Sequence, residues 1–318
     1  MTDKEQIQKQ SANQQESKYH VPVLLHETIE ALNIKPDGVY VDCTFGGGGH
    51  ARAILDKLDT NGKLVAFDQD ADAQANVPQD DRVLFVAQNF RHLKKFLRLN
   101  GITAVHGILA DLGVSSHQFD APERGFSTRF DAPLDMRMDR RQPVTAFDVV
   151  RNYSEQQMHK MFEQYGEVTN AKTLAKTIAG VRGHLPLQTI EGFKNALRPI
   201  VKGNPNKYFA QVFQALRIEV NEEMEALKEL LQQAKDVLIP GGRIAIITFH
   251  SIEDRIVKNF FKEGSFDQKE ENPFINTERN SGLKIITKKP VGAGADELRQ
   301  NNRARSARLR VAEKVNKV

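Results

Sequence analysis

The most informative residues of the chain form a glycine run between an apolar segment and a helical pattern. Gly46–Gly49 follow Phe45 and the β-rich segment 38–42, and His50 comes next. Glycine lets the backbone approach a ligand closely, and a helix that starts after such a turn exposes unpaired N–H groups. This order of strand, glycine turn and helix predicts a binding site for a nucleotide-like ligand.

An acidic residue stands where such a ligand would carry its ribose. Asp68 follows the apolar run Lys63–Phe67, about 20 residues beyond the glycines, and a carboxylate at that spacing can accept hydrogen bonds from both ribose hydroxyls. A glycine run alone is a weak motif, so a tight turn without a ligand is the alternative. The run lacks a Gly-Lys-Ser/Thr ending, which argues against the phosphate-binding loop of an NTPase.

Dehydrogenases and methyltransferases both use such a site. A dinucleotide favours a G-x-G-x-x-G frame, whose last glycine position falls here on His50 or Ala51. Asp42 stands before the loop, where it could meet a cationic amino-acid group. The late segments 283–287 and 307–311 alternate like edge strands. A closing antiparallel hairpin of this kind is typical of methyltransferases.

Three other hypotheses remain open at this stage. A nicotinamide-dependent oxidoreductase would use the same glycine turn for a different cofactor. A non-catalytic ribosome-assembly factor would keep the fold without the reaction, although the intact loop and Asp68 speak against it. The same fold could also act on DNA or protein.

Alternating strand and helix patterns predict the scaffold of the site. Strands are expected at 38–42, 63–67, 82–87, 106–110 and 243–249, separated in the first part of the chain by helical patterns. Such alternation predicts a parallel sheet with helices on both faces, an α/β fold of the Rossmann-like class.

The alternation stops after Asp111, and helical patterns follow at 154–165, 170–182 and 189–197. One long helix is then expected over 209–238.

The chain is therefore expected to form a discontinuous domain, 19–119 with 216–318, interrupted by a helical insertion at 120–215. Residues 1–18 are rich in Gln, Lys, Glu and Ser and are expected to be a disordered tail.

Composition narrows the class of protein. Hydrophobic residues make up 40% of the chain, enough for a sizeable core, and the net charge of +4 permits a polyanionic partner without requiring one. Cys43 is the only cysteine and the nine histidines lack ligand spacing, so we expect no metal. No apolar run approaches the roughly 20 residues needed to cross a bilayer. We expect a cytoplasmic protein without a membrane partner.

Several long motifs, taken together and in order, resemble one family. They are His20–Glu27, Tyr40–His50, Asp111–Gln118, Arg124–Ser127, Pro133–Asp139, Phe213–Ile218, Phe249–Arg255 and Arg303–Ser306. The set is similar to the MraW family, also called RsmH, of bacterial 16S rRNA cytosine-N4 methyltransferases. The resemblance runs from about Tyr19 to the end of the chain.

The resemblance implies a class I methyltransferase that uses S-adenosylmethionine and has a helical substrate-recognition insertion. It implies cofactor contacts at Gly48, Gly49, His50, Asp68, Phe90, Asp111 and Gln118. The implied target is a cytosine amino group in the decoding region of 16S rRNA, in the small ribosomal subunit. Monomer and homodimer both stay open.

Three departures from the family pattern concern RNA contacts rather than the reaction. Gly47 stands where the family often has Arg, Asn204–Phe209 lacks the usual Thr-Arg, and Asn301–Asn302 replaces a common Asn-Pro.

Each cofactor or catalytic assignment has a structural alternative. Asp111, at the end of the fourth strand, is the candidate catalytic proton acceptor, and otherwise a helix cap. Phe90 could contact adenine or belong to the core. His50 could meet the ligand through its backbone amide, or its ring could simply face solvent.

The RNA candidates are more open. Ser115, Ser116, His250 and Ser251 follow two strands at the same sheet edge. The alternative for Ser115 and Ser116 is an ordinary polar loop, and for the second pair it is helix capping by Ser251. The basic candidates for phosphate contacts are Arg303, Arg305 and Arg308, which few acids accompany in sequence. A second basic group, 124–141, contains many acids, which favours internal ion pairs.

Overall fold

The computed structural model describes residues 22–266 and 281–316. The predicted tail 1–18, the start of the first motif and most of the loop expected at 263–281 lie outside these residues. Within them, one sheet of seven strands forms the centre of the molecule.

The sheet has the order β3-β2-β1-β4-β5-β7-β6. Its strands are β1 Val39–Asp42, β2 Lys63–Phe67, β3 Val83–Val86, β4 Val105–Asp111, β5 Leu238–Thr248, β6 Leu283–Ile285 and β7 Arg308–Lys314. Strands β1 to β5 are parallel, and β7 lies antiparallel between β5 and β6. The predicted Rossmann-like fold with a closing hairpin is confirmed. All five parallel strands end at one edge, where ligands bind in such sheets.

The described residues form twelve α-helices. They are α1 Leu25–Leu32, α2 Gly49–Leu55, α3 Leu93–Leu99, α4 Ser116–Asp120, α5 Ala146–Asn152, α6 Glu155–Gln164, α7 Ala171–Val181, α8 Ile190–Leu197, α9 Pro205–Val220, α10 Glu223–Val237, α11 Ser251–Glu263 and α12 Ala295–Gln300. Helix α5 was not expected from periodicity. Its signal was the capping box Thr145–Asp148, in which each residue's side chain accepts the other's backbone N–H.

Each face of the sheet has its own core. Successive strand residues point to opposite faces, so Tyr40 packs in one cluster and Val41 in the other. The Val41 cluster includes Leu230 of α10 and Phe260 of α11, and the Tyr40 cluster includes Ile54 of α2. A third cluster, from Phe126 to Val220, fills the helical region between β4 and α10.

The long helix expected over 209–238 is wrong: the structure has α9 and α10 with a break at Asn221–Glu222. Glu222 adopts φ 48°, a left-handed conformation that ends a right-handed helix. The Asn221 amide donates to Met136 O at 2.8 Å, and its Oδ1 accepts from Met138 N–H at 2.7 Å. The hydrogen bonds of Asn221 with Met136 and Met138 favour the break between the two helices. Helical periodicity in the sequence cannot reveal contacts between residues so far apart.

The boundary expected at 215/216 falls inside α9. Because Leu216 and Val220 of α9 pack in the helical cluster, we propose that the insertion 120–215 extends to the end of this helix.

Candidate active site

The glycine turn lies at the carboxyl end of β1. Gly46 and Gly48 adopt φ 50° and φ 75°, which residues with a Cβ rarely tolerate, and α2 begins at Gly49. A Cβ on Gly49 would lie 2.2 Å from Pro22 Cγ, so the segment before α1 packs directly on the turn. The turn leaves backbone near the sheet edge without side chains of its own.

Asp68 follows the neighbouring strand β2 and contacts the turn. Its Oδ2 accepts from Gly46 N–H at 2.7 Å, and its Oδ1 accepts from Asp70 N–H at 2.8 Å. Burial raises the pKa of Asp68 to about 6. The sequence predicted that these two elements meet, and the structure brings them together.

Two further carboxylates converge at the same edge. Asp42 ends β1 and Asp111 ends β4, and Thr44 binds both: its N–H donates to Asp42 Oδ1 at 3.0 Å, and its Oγ1 accepts from Asp111 N–H at 2.7 Å. Asp42 Oδ2 and Asp111 Oδ1 are buried without a hydrogen-bond partner among the described residues. Unpaired buried acceptors are costly, so these atoms point to a missing donor or cation.

The protonation of both acids follows from this crowding. Burial first, and then the charge of Asp68, raises the pKa of Asp42 to about 7. Burial, followed by the carboxylates of Asp42, Glu253 and Glu297, raises the pKa of Asp111 well above its usual range. A positive charge bound here would favour the ionised form of both acids and would therefore lower both pKa values.

The side chain of His50 faces this cluster, which the sequence did not indicate. Its Nε2 lies 3.1 Å from the carbonyl of Val23, and burial lowers the pKa of His50 to about 4. A carbonyl only accepts, so the neutral ring carries its hydrogen on Nε2. The Nδ1 lone pair therefore faces Asp111 Oδ2, 3.8 Å away.

Gln118 and Ser115 form a capping box at the start of α4. Ser115 Oγ accepts from Gln118 N–H, and Gln118 Oε1 accepts from Ser115 N–H, both at 3.1 Å. The Gln118 Nε2 donates to Asp70 Oδ2 at 2.7 Å. Gln118 thus lies beside the Asp68 loop, and both polar atoms of its side-chain amide form hydrogen bonds with other residues of the protein. Ser116 is the first residue of α4.

A family comparison decides between the enzyme classes. Residues 17–315 match the model of the MraW methylase family. The chain belongs to this family. It is a methyltransferase that uses S-adenosylmethionine, which excludes the nicotinamide-dependent alternative.

Relatives match the chain over almost its whole length. It is 53% identical over 298 residues to a protein of Flavobacterium johnsoniae, covering 93% of this chain and 98% of that one. It is 53% identical over 300 residues to one of Cytophaga hutchinsonii, covering 93% and 99%. Both carry the name Ribosomal RNA small subunit methyltransferase H.

The residues of this methylase fit its cofactor. S-adenosylmethionine combines an adenosine with a sulfonium and a methionyl ammonium group. The unpaired oxygens of Asp42 and Asp111 match a cationic group, and the glycine turn gives the close backbone approach that an adenosine needs.

Phe90 lies near the Asp68 loop of the methylase. It begins a short 3₁₀ turn after β3 and packs, half-buried, against the core of the sheet. Its neighbour Asn89 donates from Nδ2 to Gln69 Oε1 at 2.7 Å, which ties the turn to the residue after Asp68. The position agrees with both the core and the adenine interpretations.

His250 is the N-cap residue of α11 after β5, and Ser251 is the first residue of the helix. Glu253, buried within that cap, accepts from Phe249 N–H at 2.8 Å, and its own N–H donates to His250 Nδ1 at 3.4 Å. Ser251 Oγ donates to Glu167 Oε2 of the helical region at 3.2 Å. Capping therefore accounts for the contact between His250 and Glu253, whereas Ser251 does not cap the helix and contacts the helical region instead.

Several arginines of the 124–141 segment form internal ion pairs. Arg137 Nε lies 2.8 Å from Asp135 Oδ1, and Arg141 Nε lies 2.8 Å from Asp139 Oδ1. Arg129 and Arg140 of the same segment are exposed, so the ion pairs account for only part of its basic charge.

The C-terminal arginines are partly paired. Arg303 meets Asp120 at 2.8 Å and Arg308 meets Asp254 at 3.5 Å, whereas Arg305 is exposed. Acids that are distant in sequence therefore neutralise part of the positive charge of these arginines, which the sequence did not indicate.

Two searches of the described residues gave negative results. Within 22–266 and 281–316 there is no group of three His, Cys, Asp or Glu residues that could hold a metal ion. None of the helices in those ranges is long and apolar enough to span a membrane.

Proposed function

We propose that this methylase transfers a methyl group to the N4 amino group of a cytosine in the decoding region of small-subunit rRNA. The observation that carries the RNA substrate is the name of its relatives, which are about half identical over 93% of the chain. The cytosine N4 position follows from the motif resemblance.

We assign the cofactor parts to the site by chemistry. Asp68 accepts from the ribose hydroxyls, and Phe90 lies against adenine. Asp42 and Asp111 bind the methionyl ammonium, while the backbone of Gly48–His50 lines the turn. Gln118 supports this arrangement through Asp70. When bound, the cofactor supplies an electrophilic methyl group, so the protein mainly aligns the reacting atoms.

Asp111 is the proposed proton acceptor. The lone pair of cytosine N4 is delocalised into the ring, and an acceptor near the amino hydrogens localises it and takes the leaving proton. Asp111 Oδ1 is buried and unpaired, and Asp111 loses its own proton when a positive charge binds beside it. The carboxylate would then accept the one proton that N4 loses, while the new C–N bond would replace the methyl–sulfur bond of the cofactor and S-adenosylhomocysteine would be the leaving group.

The target base must leave its stack to reach this site. Helix α4 begins five residues after Asp111 and carries Phe119, whose ring centroid lies 5.6 Å from the Arg129 guanidinium and 5.2 Å from that of Arg303. Phe130, next to Arg129, is 48% exposed. Exposed aromatic and guanidinium planes are what single-stranded RNA stacks on, so we place RNA entry here.

Nucleoside analysis tests the proposal. Mass spectrometry of rRNA from cells with and without the gene should show N4-methylcytosine only in the former. Labelled methyl transfer by the purified protein, to free 16S rRNA and to assembled subunits, identifies the substrate form. Asp111→Asn, which keeps the shape of the side chain, serves as the inactive control. Unchanged N4-methylcytosine in the deletion strain would refute the assignment.

A further inference from the structure

A fully buried arginine lies behind the ribose side of the site. The side chain of Arg124 is only 1% exposed, and buried guanidinium groups are rare unless they are paired. Its Nη1 lies 2.8 Å from Asp70 Oδ2 and 3.0 Å from Asp72 Oδ2. Both acids belong to the loop after β2, so the arginine is bound to the segment that carries Asp68.

The other terminal nitrogen of Arg124 binds a different part of the chain. Its Nη2 donates to the carbonyls of Arg137 and Met138, each at 3.1 Å. Met138 N–H in turn donates to Asn221 Oδ1 at 2.7 Å, at the break between α9 and α10. One guanidinium therefore connects the β2 loop with the helical region.

The link from Arg124 to the cofactor site passes through Asp70. The backbone N–H of Asp70 donates to Asp68 Oδ1 at 2.8 Å, while its Oδ2 also accepts from Gln118 Nε2 at 2.7 Å. A shift of Asp70 would therefore alter a hydrogen bond that orients the Asp68 carboxylate. Removing Arg124 would leave a buried carboxylate without its cation, which is strongly unfavourable and drives the loop to rearrange.

We propose that Arg124 is a positioning residue that holds the Asp68 carboxylate, through Asp70, in the orientation that recognises the cofactor ribose. The inference rests on the proposed contact between Asp68 and the ribose. A purely structural Arg124 would affect stability alone, whereas a positioning role also changes how the protein distinguishes ribose from deoxyribose.

The planar fork of arginine is needed because the group spans two segments. Lysine keeps the charge but presents a single point donor. Arg124→Lys keeps a positive charge beside Asp70 but loses the contacts with the carbonyls of Arg137 and Met138, so Asp70 is no longer held in a fixed position against the helical region. Arg137→Lys is the matched control, since Arg137 lies in the same segment and pairs with Asp135 instead of the β2 loop.

The test measures ribose recognition by titration calorimetry on the full-length protein. S-adenosylhomocysteine and its 2′-deoxyribose analogue are titrated into wild type, Arg124→Lys and Arg137→Lys. Loss of a hydrogen bond to a charged group predicts roughly tenfold or more preference for the ribose form in wild type. Arg124→Lys should reduce that preference at least about threefold, and Arg137→Lys should keep it.

Thermal unfolding identifies the variants that remain folded, and Asp70→Asn is the second test if Arg124→Lys does not fold. This change keeps the Asp70 backbone donor but weakens the tie to Arg124, so the ribose preference should again fall. A folded Arg124→Lys or Asp70→Asn protein with wild-type ribose preference would overturn the inference. Wild type without any ribose preference would also overturn it, yet would leave methyl transfer to RNA, measured by nucleoside analysis, unaffected.

Discussion

At the scale of single residues, the candidate site is a set of buried acids. Without a ligand of opposite charge, burial disfavours the ionised form of each of them. Asp42, Asp68 and Asp111 end neighbouring parallel strands, and burial raises the pKa of each. A folded-state pKa above the unfolded value means that ionisation opposes folding as pH rises through the folded pKa. A cationic cofactor bound beside these acids would offset this cost, and its binding would then be coupled to the release of protons.

Cofactor binding should therefore release protons near neutral pH. Asp42, with a pKa of about 7, is partly protonated in the free protein and ionised beside a bound ammonium, so affinity should rise from about pH 6 to about pH 8. Calorimetric titrations of S-adenosylmethionine in buffers of different ionisation enthalpy measure the protons released. Asp42→Asn should reduce the release, and equal heats in all buffers for wild type would contradict the coupling.

Replacing Asp68 by Ala should weaken cofactor binding without unfolding the protein. The carboxylate is the proposed ribose acceptor, and hydrogen bonds to a charged group contribute about 1.5–3 kcal/mol, or about tenfold to a hundredfold in affinity. Calorimetric titration with S-adenosylmethionine measures the change. Unaltered affinity would remove Asp68 from the site.

At the scale of elements, the positions of helix ends matter more than their propensities. The break between α9 and α10 places Asn221 where its side chain binds Met136, Met138 and Arg217. It therefore joins the helical region to the loop contacted by Arg124. Capping boxes at Thr145 and Ser154 fix the starts of α5 and α6 in the same region.

Asn221→Ala should destabilise the protein by about 1–3 kcal/mol, because it leaves buried backbone groups of Met136 and Met138 without partners. Thermal or urea unfolding measures the loss. Asn206→Ala, on the exposed first turn of α9, is the control and should change stability little. A wild-type midpoint for Asn221→Ala would show that the break does not depend on these hydrogen bonds.

At the scale of the whole molecule, basic and aromatic groups from distant segments meet at one end of the sheet. Arg303 from the C-terminal segment and Arg129 from the helical region flank Phe119 of α4. No single segment of the chain carries this surface. RNA affinity should therefore depend on residues from all three.

Changing Arg303, Arg305 and Arg308 together to Ala should weaken RNA binding and flatten its salt dependence. The loss of three phosphate contacts would make the negative slope of log affinity against log salt shallower by about 2. Binding to a decoding-region RNA is measured over a salt series, with Lys95 and Arg98 of α3 changed to Ala as control. Because the ion pairs lost are partly exposed, stability should fall little. Wild-type affinity at every salt concentration would exclude an RNA-facing role.

Local patterns in the sequence were sufficient for the scaffold. Each predicted parallel strand appears in the structure, because a strand buried on both faces needs a continuous apolar run. The glycine turn was predictable for a different reason: Gly46 and Gly48 adopt positive φ, which glycine tolerates best. The meeting of Gly46 with Asp68 was also predictable, since β1 and β2 are adjacent parallel strands that end at one edge.

Contacts between distant residues were decided only by the tertiary structure. Leu24 N–H donates to Glu297 across 273 positions, and the ring of His50 faces Asp111 rather than solvent. Arg124 is a basic residue among acids in sequence, yet folding buries it against Asp70. Periodicity reports which face of an element is apolar. Which polar groups share a buried space depends on the packing of several elements at once, and no local pattern records it.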